Sequence, residues 1–307
     1  MNNKEVLVVE ISGKRPGGVK ERPTEKYKIN YDHIIISNNS MGYETDWEIV
    51  NVPQEFEEWY KKEIKSSENA WYAPMNRTYA IKYAKEHGYK YLIQLDDNIL
   101  QIGIKTNIGN RKLRIKNNEY LINDMIDILV EILKNTNAGM SGCNIESMSV
   151  PNGQFLAERY CYSFFALKLD VCPDIFQGDF EDDIEYRLKL SQMKIPCVQC
   201  VPLSYAKTGQ AKDKDLSGCR AEYKKQGVLR GEHMRKLYGD IYSCGYASGA
   251  KAGRNGDKSA RSKQILFKHK LKRFKVGVII YDIAPIKEKF RRTVLKYLKQ
   301  QQKENNL

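Results

Sequence analysis

The apolar run Tyr91-Leu-Ile-Gln-Leu95 stops abruptly at Asp96-Asp97-Asn98, and these three oxygen-bearing side chains are the strongest candidates for chemistry. Two carboxylates and an amide in succession make a hard-oxygen cluster suited to Mg2+ or Mn2+. A cation held there can bridge a diphosphate and stabilise the charge that develops as it leaves. The same residues also suit a plain turn after a strand, so their companions matter. Further on, Glu181-Asp182-Asp183 opens a helical pattern. A carboxylate at a helix start is held ionised by the macrodipole and can accept a proton from a hydroxyl, or it can simply stabilise the helix. Upstream, Asn76-Arg77 reads as the opening of the helix before Tyr91. Free backbone N–H groups there, with the forked guanidinium, would suit a phosphate.

The elements that must position these groups alternate in type. Strands are predicted over Val6–Ile11, His33–Ser37, Trp47–Val52, Tyr91–Leu95, Ala138–Ile145 and Tyr160–Leu169. Helices are predicted over Gln54–Lys65, Asn76–His87, Glu119–Lys134, Asp182–Leu190 and Arg220–Tyr238. Gly88 stops the second of these, and the third places Leu121, Ile122, Met125, Ile128, Leu129 and Ile132 on one apolar face. This alternation predicts an α/β fold, in which ligands sit beyond the carboxyl ends of the strands. Lys14–Lys20 reads as a Gly/Pro-rich turn, Gly103–Asn117 as a loop or hairpin, Ser204–Gly218 as an active-site flap, and Tyr246–Arg261 as a Gly/Ser/Lys-rich connector.

Composition narrows the class. The chain of 307 residues is 41% hydrophobic and 29% charged, enough for one large core with a soluble surface. No window approaches the ~18 apolar residues of a membrane span, and the N-terminal apolar run of Val6–Val9 is too short for a secretory segment. The expectation is a cytoplasmic protein. Seven irregularly spaced cysteines agree, and Cys197-Val-Gln-Cys200, inside a strand-like IPCVQCVP, reads as buried thiols. The formal charge of +13 is concentrated: residues 251–307 hold 17 Lys/Arg against 4 Asp/Glu, while the preceding residues balance. A segment of that kind attracts polyanions.

The stretch NRTYAIKYAKEHGYKYLIQLDDNI, followed 85 residues after Asp97 by Glu181-Asp182 and then Arg187, resembles the GT-A nucleotide-sugar transferases. Within them it is most similar to the TET-associated glycosyltransferases of phages, inferred to glycosylate hydroxymethylated pyrimidines in DNA. The resemblance covers about residues 30–210. It implies a Rossmann-like GT-A fold with a mixed, mostly parallel central sheet flanked by helices, expected over residues 1–250, while the charge distribution sets apart a basic helical extension over 251–307. It also implies a UDP-sugar or related donor, Mn2+ or Mg2+, and the cytoplasm of a phage-infected host. Residue by residue, it places Ser37 and Asn38 at the donor base or ribose, and Asn76 and Arg77 at the diphosphate. Asp96 would meet the ribose or metal-bound water, Asp97 and Asn98 the cation, and Asp182, with Glu181 beside it, would be the general base. Two departures stand out: Asn98 replaces the usual acid, and no histidine falls in Ser204–Gln210 as a late metal ligand. Tyr205, Lys207 or Thr208 would meet the diphosphate instead. Direct displacement with inversion is the expected course.

The basic segment, with Lys263–Lys275 and Glu288–Gln300 mixing cations and apolar residues, fits three situations. It could bind double-stranded DNA through phosphates, lie on an anionic membrane surface, or pack on the body as a solvated helix. A protein, glycan or lipid-linked acceptor, and a non-catalytic nucleic-acid binder on a degenerate scaffold, are the alternative functions.

Overall fold

The computed structural model describes residues 3–13, 23–64, 72–108, 111–116, 118–146, 155–177, 182–207, 242–246, 265–269 and 275–305. Ten strands form one sheet: β1 (Val6–Ser12), β2 (Asp32–Ser37), β3 (Glu48–Asn51), β4 (Tyr91–Asp96), β5 (Ile99–Ile108), β6 (Arg111–Lys116), β7 (Met140–Ile145), β8 (Leu156–Glu158), β9 (Phe164–Lys168) and β10 (Cys197–Lys207). Their order is β3-β2-β1-β4-β9-β7-β10-β5-β6, with β8 pairing β10. Following the pairings across the sheet, β1, β2, β3, β4, β6, β7 and β10 run one way, and β5, β8 and β9 run against them. The sheet is therefore mixed and mostly parallel, as expected.

The central strands are apolar on both faces because helices cover both. All of β1, VLVVEIS, is buried. Val6 and Val8 join a core with Ile93, Leu95 and helix α4 (Leu121–Lys134), whose inward face is the one the sequence pattern gives. Leu7 and Val9 join a second core with Leu92 and helix α3 (Tyr72–Glu86). The period-2 alternation of the strand thus sorts its side chains into two layers. Each fully buried Leu or Ile stabilises by roughly 1.5–3 kcal/mol, so a frame built on dozens of them holds the strand ends rigidly. Cys197 and Cys200 are buried thiols in β10, as the sequence indicates.

Some boundaries differ from expectation. Helix α3 begins at Tyr72, so Asn76 and Arg77 lie in its second turn and do not open it. The described residues of Gly103–Asn117 belong to the β5–β6 hairpin, which starts already at Ile99. Ser204–Lys207 complete β10 and are not part of a flap; the remainder of that segment, the Lys14–Lys20 turn and the Arg220–Tyr238 helix lie outside the described residues. Helix α5 (Asp182–Gln192) starts where predicted. Within the basic segment, β12 (Ile265–His269) pairs antiparallel with β11 (Tyr242–Tyr246), a strand where a basic helix was one expectation. Helix α6 (Ala284–Asn305) packs on α4, burying Ile286, Val294 and Tyr297, and the Tyr297 hydroxyl donates to Asp124 at 2.7 Å. Among the described residues, no helix is long and apolar enough to cross a membrane.

Candidate active site

The carboxyl ends of β1, β2 and β4 lie side by side, with Ser12 in register with Ser37 and Ile11 with Asp96. Along β4 the side chains of Leu92, Gln94 and Asp96 share the face toward α3. Buried Arg77 on α3 meets them. Its Nη1 donates to Gln94 Oε1 at 3.0 Å and its Nη2 to Asp96 Oδ1 at 2.5 Å. Its Nε donates to Asp182 Oδ2 at 2.8 Å, at the first residue of α5. The guanidinium also lies 5.4 Å from the Phe165 ring centroid and 5.8 Å from that of Phe176. Arg77 therefore ties together two acids far apart in sequence.

Lys207, at the end of β10, completes the centre: its Nζ donates to Asp96 Oδ2 at 2.5 Å. Burial opposes ionisation of Asp96, yet Lys207 and Arg77 outweigh it and hold the carboxyl well below the usual range. Burial likewise opposes the Arg77 charge, and Asp96 with Asp182 more than restores it. Two cations and two anions balance, which is how a charge cluster persists away from water. Ser163 supports it from the side. It is buried, has φ 51 without being glycine, and its carbonyl accepts the Asp96 N–H at 2.9 Å. Ser163 also helps to lower the Asp96 pKa. A left-handed backbone at a non-glycine residue costs of order 1–3 kcal/mol and concentrates at functional sites.

A second group of contacts adjoins the first. Ser12 Oγ donates to Asp97 Oδ2 at 2.8 Å and lies 2.7 Å from the Tyr43 hydroxyl. Asn76 Nδ2 donates to the Ser12 carbonyl at 2.7 Å and approaches Asn38 Oδ1 at 3.5 Å. Gly13 permits this approach, because a Cβ there would stand 2.5 Å from Asn38 Oδ1. Buried Ser37 accepts the Asn39 N–H on its hydroxyl at 3.1 Å. Ser37, Asn38, Asn76, Arg77, Asp96, Asp97, Asn98, Asp182 and Lys207 thus occupy one end of the sheet. Glu181 lies outside the described residues.

Two expectations change on this geometry. Arg77 does not present its fork to an open helix terminus; three of its N–H directions are committed to Asp182, Gln94 and Asp96. Asp96 has both carboxylate oxygens engaged by cations, so it is a poor metal donor. Among the described residues, no group of three or more His, Cys, Asp or Glu side chains is placed to hold a metal ion. One oxygen donor stands out: buried Asn98 Oδ1 has no hydrogen-bond partner. Together with Asp97 it would offer two donors to a Mg2+ ion, which commonly takes one or two protein oxygens and completes its shell with phosphates and water.

Three participants escaped the sequence reading. Gln94 carried a signal, being a lone amide inside the apolar YLIQL run. Ser12 carried a weaker one, ending β1 as Ser37 ends β2. Ser163 carried none, because its role depends on backbone conformation.

No protein-family model matches the chain, and no curated protein matches it. Solved structures do show likeness. Glucosyl-3-phosphoglycerate synthase from Mycobacterium tuberculosis, in complex with Mg2+ and uridine diphosphate, aligns at 10% identity and TM-score 0.43, covering 73% of this chain and 79% of that one. A candidate nucleotide-diphospho-sugar transferase from Desulfovibrio desulfuricans G20 aligns at 12% identity and TM-score 0.35, covering 76% and 90%. The A197 protein of STIV aligns at 10% identity and TM-score 0.36, covering 67% and 86%. All three lie below a TM-score of 0.5, so the functional reading rests on the residues of the site itself.

Proposed function

We propose that the chain is a GT-A-type glycosyltransferase that moves a sugar from a nucleoside diphosphate donor to a hydroxyl, with hydroxymethylated pyrimidines in DNA as acceptor. The observation that carries this reading is the junction of Asp96 and Asp182 on Arg77. Those are the two acids that the motif resemblance assigns to donor handling and to proton removal. A bland pair of turn and helix-start acids has no reason to converge on one buried guanidinium.

In this reading Asp182 accepts the proton of the acceptor hydroxyl as its oxygen forms the new bond to the anomeric carbon. The bond from that carbon to the diphosphate breaks, the electron pair leaves with the phosphate, and the configuration inverts. Arg77 holds the Asp182 carboxylate in place. Lys207, already against Asp96, supplies positive charge where the diphosphate departs. Ser37, Asn38 and Asn76 line the donor side. Asp97 and Asn98 would hold a divalent cation, which when bound would neutralise charge developing on the leaving diphosphate. UDP-sugars are the first donors to examine.

A thermal-shift screen of nucleoside diphosphates with and without Mn2+ tests donor recognition, because a ligand selective for the folded state raises the unfolding temperature. The expected outcome is a shift for UDP that grows with Mn2+ and is lost in Asp97→Ala. No shift with any nucleotide would support a non-catalytic scaffold. Donor turnover that passes sugar to a protein, glycan or lipid-linked alcohol but never to DNA would replace the acceptor.

A further inference from the structure

The hairpin that follows Asn98 carries a charge pattern the carboxylate centre does not use. From Ile99 to Asn118 the sequence has five cations, Lys105, Arg111, Lys112, Arg114 and Lys116, and no acid. In the β5–β6 register Lys105 faces Arg114 and Gly103 faces Lys116. Cross-strand partners share a sheet face, so Lys105, Arg114 and Lys116 stand together. Ile102, Ile104 and Ile115 fill the opposite face, in the α4 core. Like charges directly opposite one another destabilise a sheet.

Glu146, at the end of β7, meets all three cations. It lies 3.7 Å from Lys105, 2.5 Å from Lys116, and in contact with Arg114. One carboxylate against three cations leaves the group short of negative charge. Partial burial and then Arg114 lower the Lys105 pKa, and burial, Arg114 and Lys105 lower that of Lys116.

This face leads to the candidate active site. Gln101 and Gly103 pair with Ala206 and Ser204 of β10, and the next residue, Lys207, is the one bonded to Asp96. Lys116 Nζ donates to Gln101 Oε1 at 3.1 Å. The strand that carries Lys105 thus pairs with the one that ends at Lys207, and β6, with Arg114 and Lys116, lies on its other side.

We propose that this hairpin face binds the phosphate backbone of a nucleic-acid strand, with Glu146 occupying the cations until phosphates replace it. The proposal relies on the glycosyltransferase reading only for what the strand is delivered to. Protection of an exposed sheet edge explains charges on β6, but it does not explain Lys105 on the inner strand. A flat anionic membrane is the poorer partner: the Lys105 and Lys116 side chains are recessed, 23% and 26% exposed. None of the exposed large apolar side chains among the described residues lies on β5 or β6, where a lipid surface would engage one.

The test measures binding of the full chain to a short fluorescein-labelled duplex, to its single strand and to phosphatidylserine vesicles across a salt series. Lys105→Gln/Arg114→Gln/Lys116→Gln should weaken DNA binding about tenfold or more. It should also reduce the log–log salt slope by about 2–3, near 0.9 for each lost phosphate contact on duplex. Glu146→Gln should tighten DNA binding, and this single variant keeps the test decisive if the triple variant unfolds. Unchanged affinity in the triple variant, weaker binding in Glu146→Gln, or hairpin-dependent binding to vesicles but not to DNA would overturn the proposal. Hairpin-dependent DNA binding in a chain with no donor turnover would uphold it while removing the transferase reading.

Discussion

Asp96 and Asp182 both accept hydrogen bonds from the guanidinium of Arg77, at 2.5 and 2.8 Å. One acid ends a central strand and the other begins a helix, so this pairing fixes the distance between the two halves of the site.

Arg77 should be indispensable to stability. Removing one partner of a buried ion cluster leaves uncompensated charge and costs roughly 3–5 kcal/mol. Arg77→Ala should therefore lower the unfolding temperature by about 2–4 °C per kcal/mol lost, the scale for domains of 150–250 residues. Arg77→Lys keeps the charge but cannot reach Asp182, Gln94 and Asp96 together, so it should recover only part of the loss. Calorimetry of the three proteins checks this; an Arg77→Ala protein as stable as the parent would contradict it.

Asp182 and Asp96 should separate by kinetics. If Asp182 removes the acceptor proton, Asp182→Asn should reduce kcat by about 10²–10⁴ with little change in nucleotide affinity. Asp96→Asn should instead disturb Lys207 and weaken donor binding. Steady-state kinetics with parallel nucleotide titrations distinguish the two; equal losses of kcat and affinity in both variants would merge their roles.

Acid should destabilise the fold through Asp96. Its folded-state pKa is depressed below an unfolded value near 3.9. The stability it contributes is therefore fully present above the unfolded pKa and is lost as pH falls below it toward the folded value. Denaturant midpoints measured downward from pH 5 should fall, and Asp96→Asn should flatten that slope. An identical slope in the variant would assign the acid sensitivity to other carboxylates.

Asn98 should limit metal affinity. Its amide oxygen is buried without a hydrogen-bond partner but brings no charge. Asn98→Asp should tighten Mn2+ binding in the presence of UDP, and Asn98→Ala should weaken it. Calorimetric titration reads both; insensitivity to either change would take Asn98 out of the cation site.

Much of this was legible in the sequence, and the failures have physical causes. β1, β2 and β4 announced themselves because burial on both faces demands mainly apolar runs. Ser37 and Asp96 stand at the ends of β2 and β4, where the apolar runs stop. The start of α3 was misplaced although Pro74, in its first turn, marked it, proline being favoured at helix starts. That shift changed Arg77 from an open phosphate donor into a buried clamp. Ser163 was illegible because φ 51 leaves no compositional trace. In the basic segment, the sequence pattern matched α6 but not β12, whose strand depends on a distant partner, β11.

The most direct measurement is the mass of a hydroxymethylated DNA duplex after incubation with the protein, Mn2+ and a panel of nucleotide sugars. The account predicts a gain of one sugar per modified base for at least one donor, and its near disappearance in Asp182→Asn. DNA of unchanged mass with every donor, or an undiminished gain in Asp182→Asn, would contradict it.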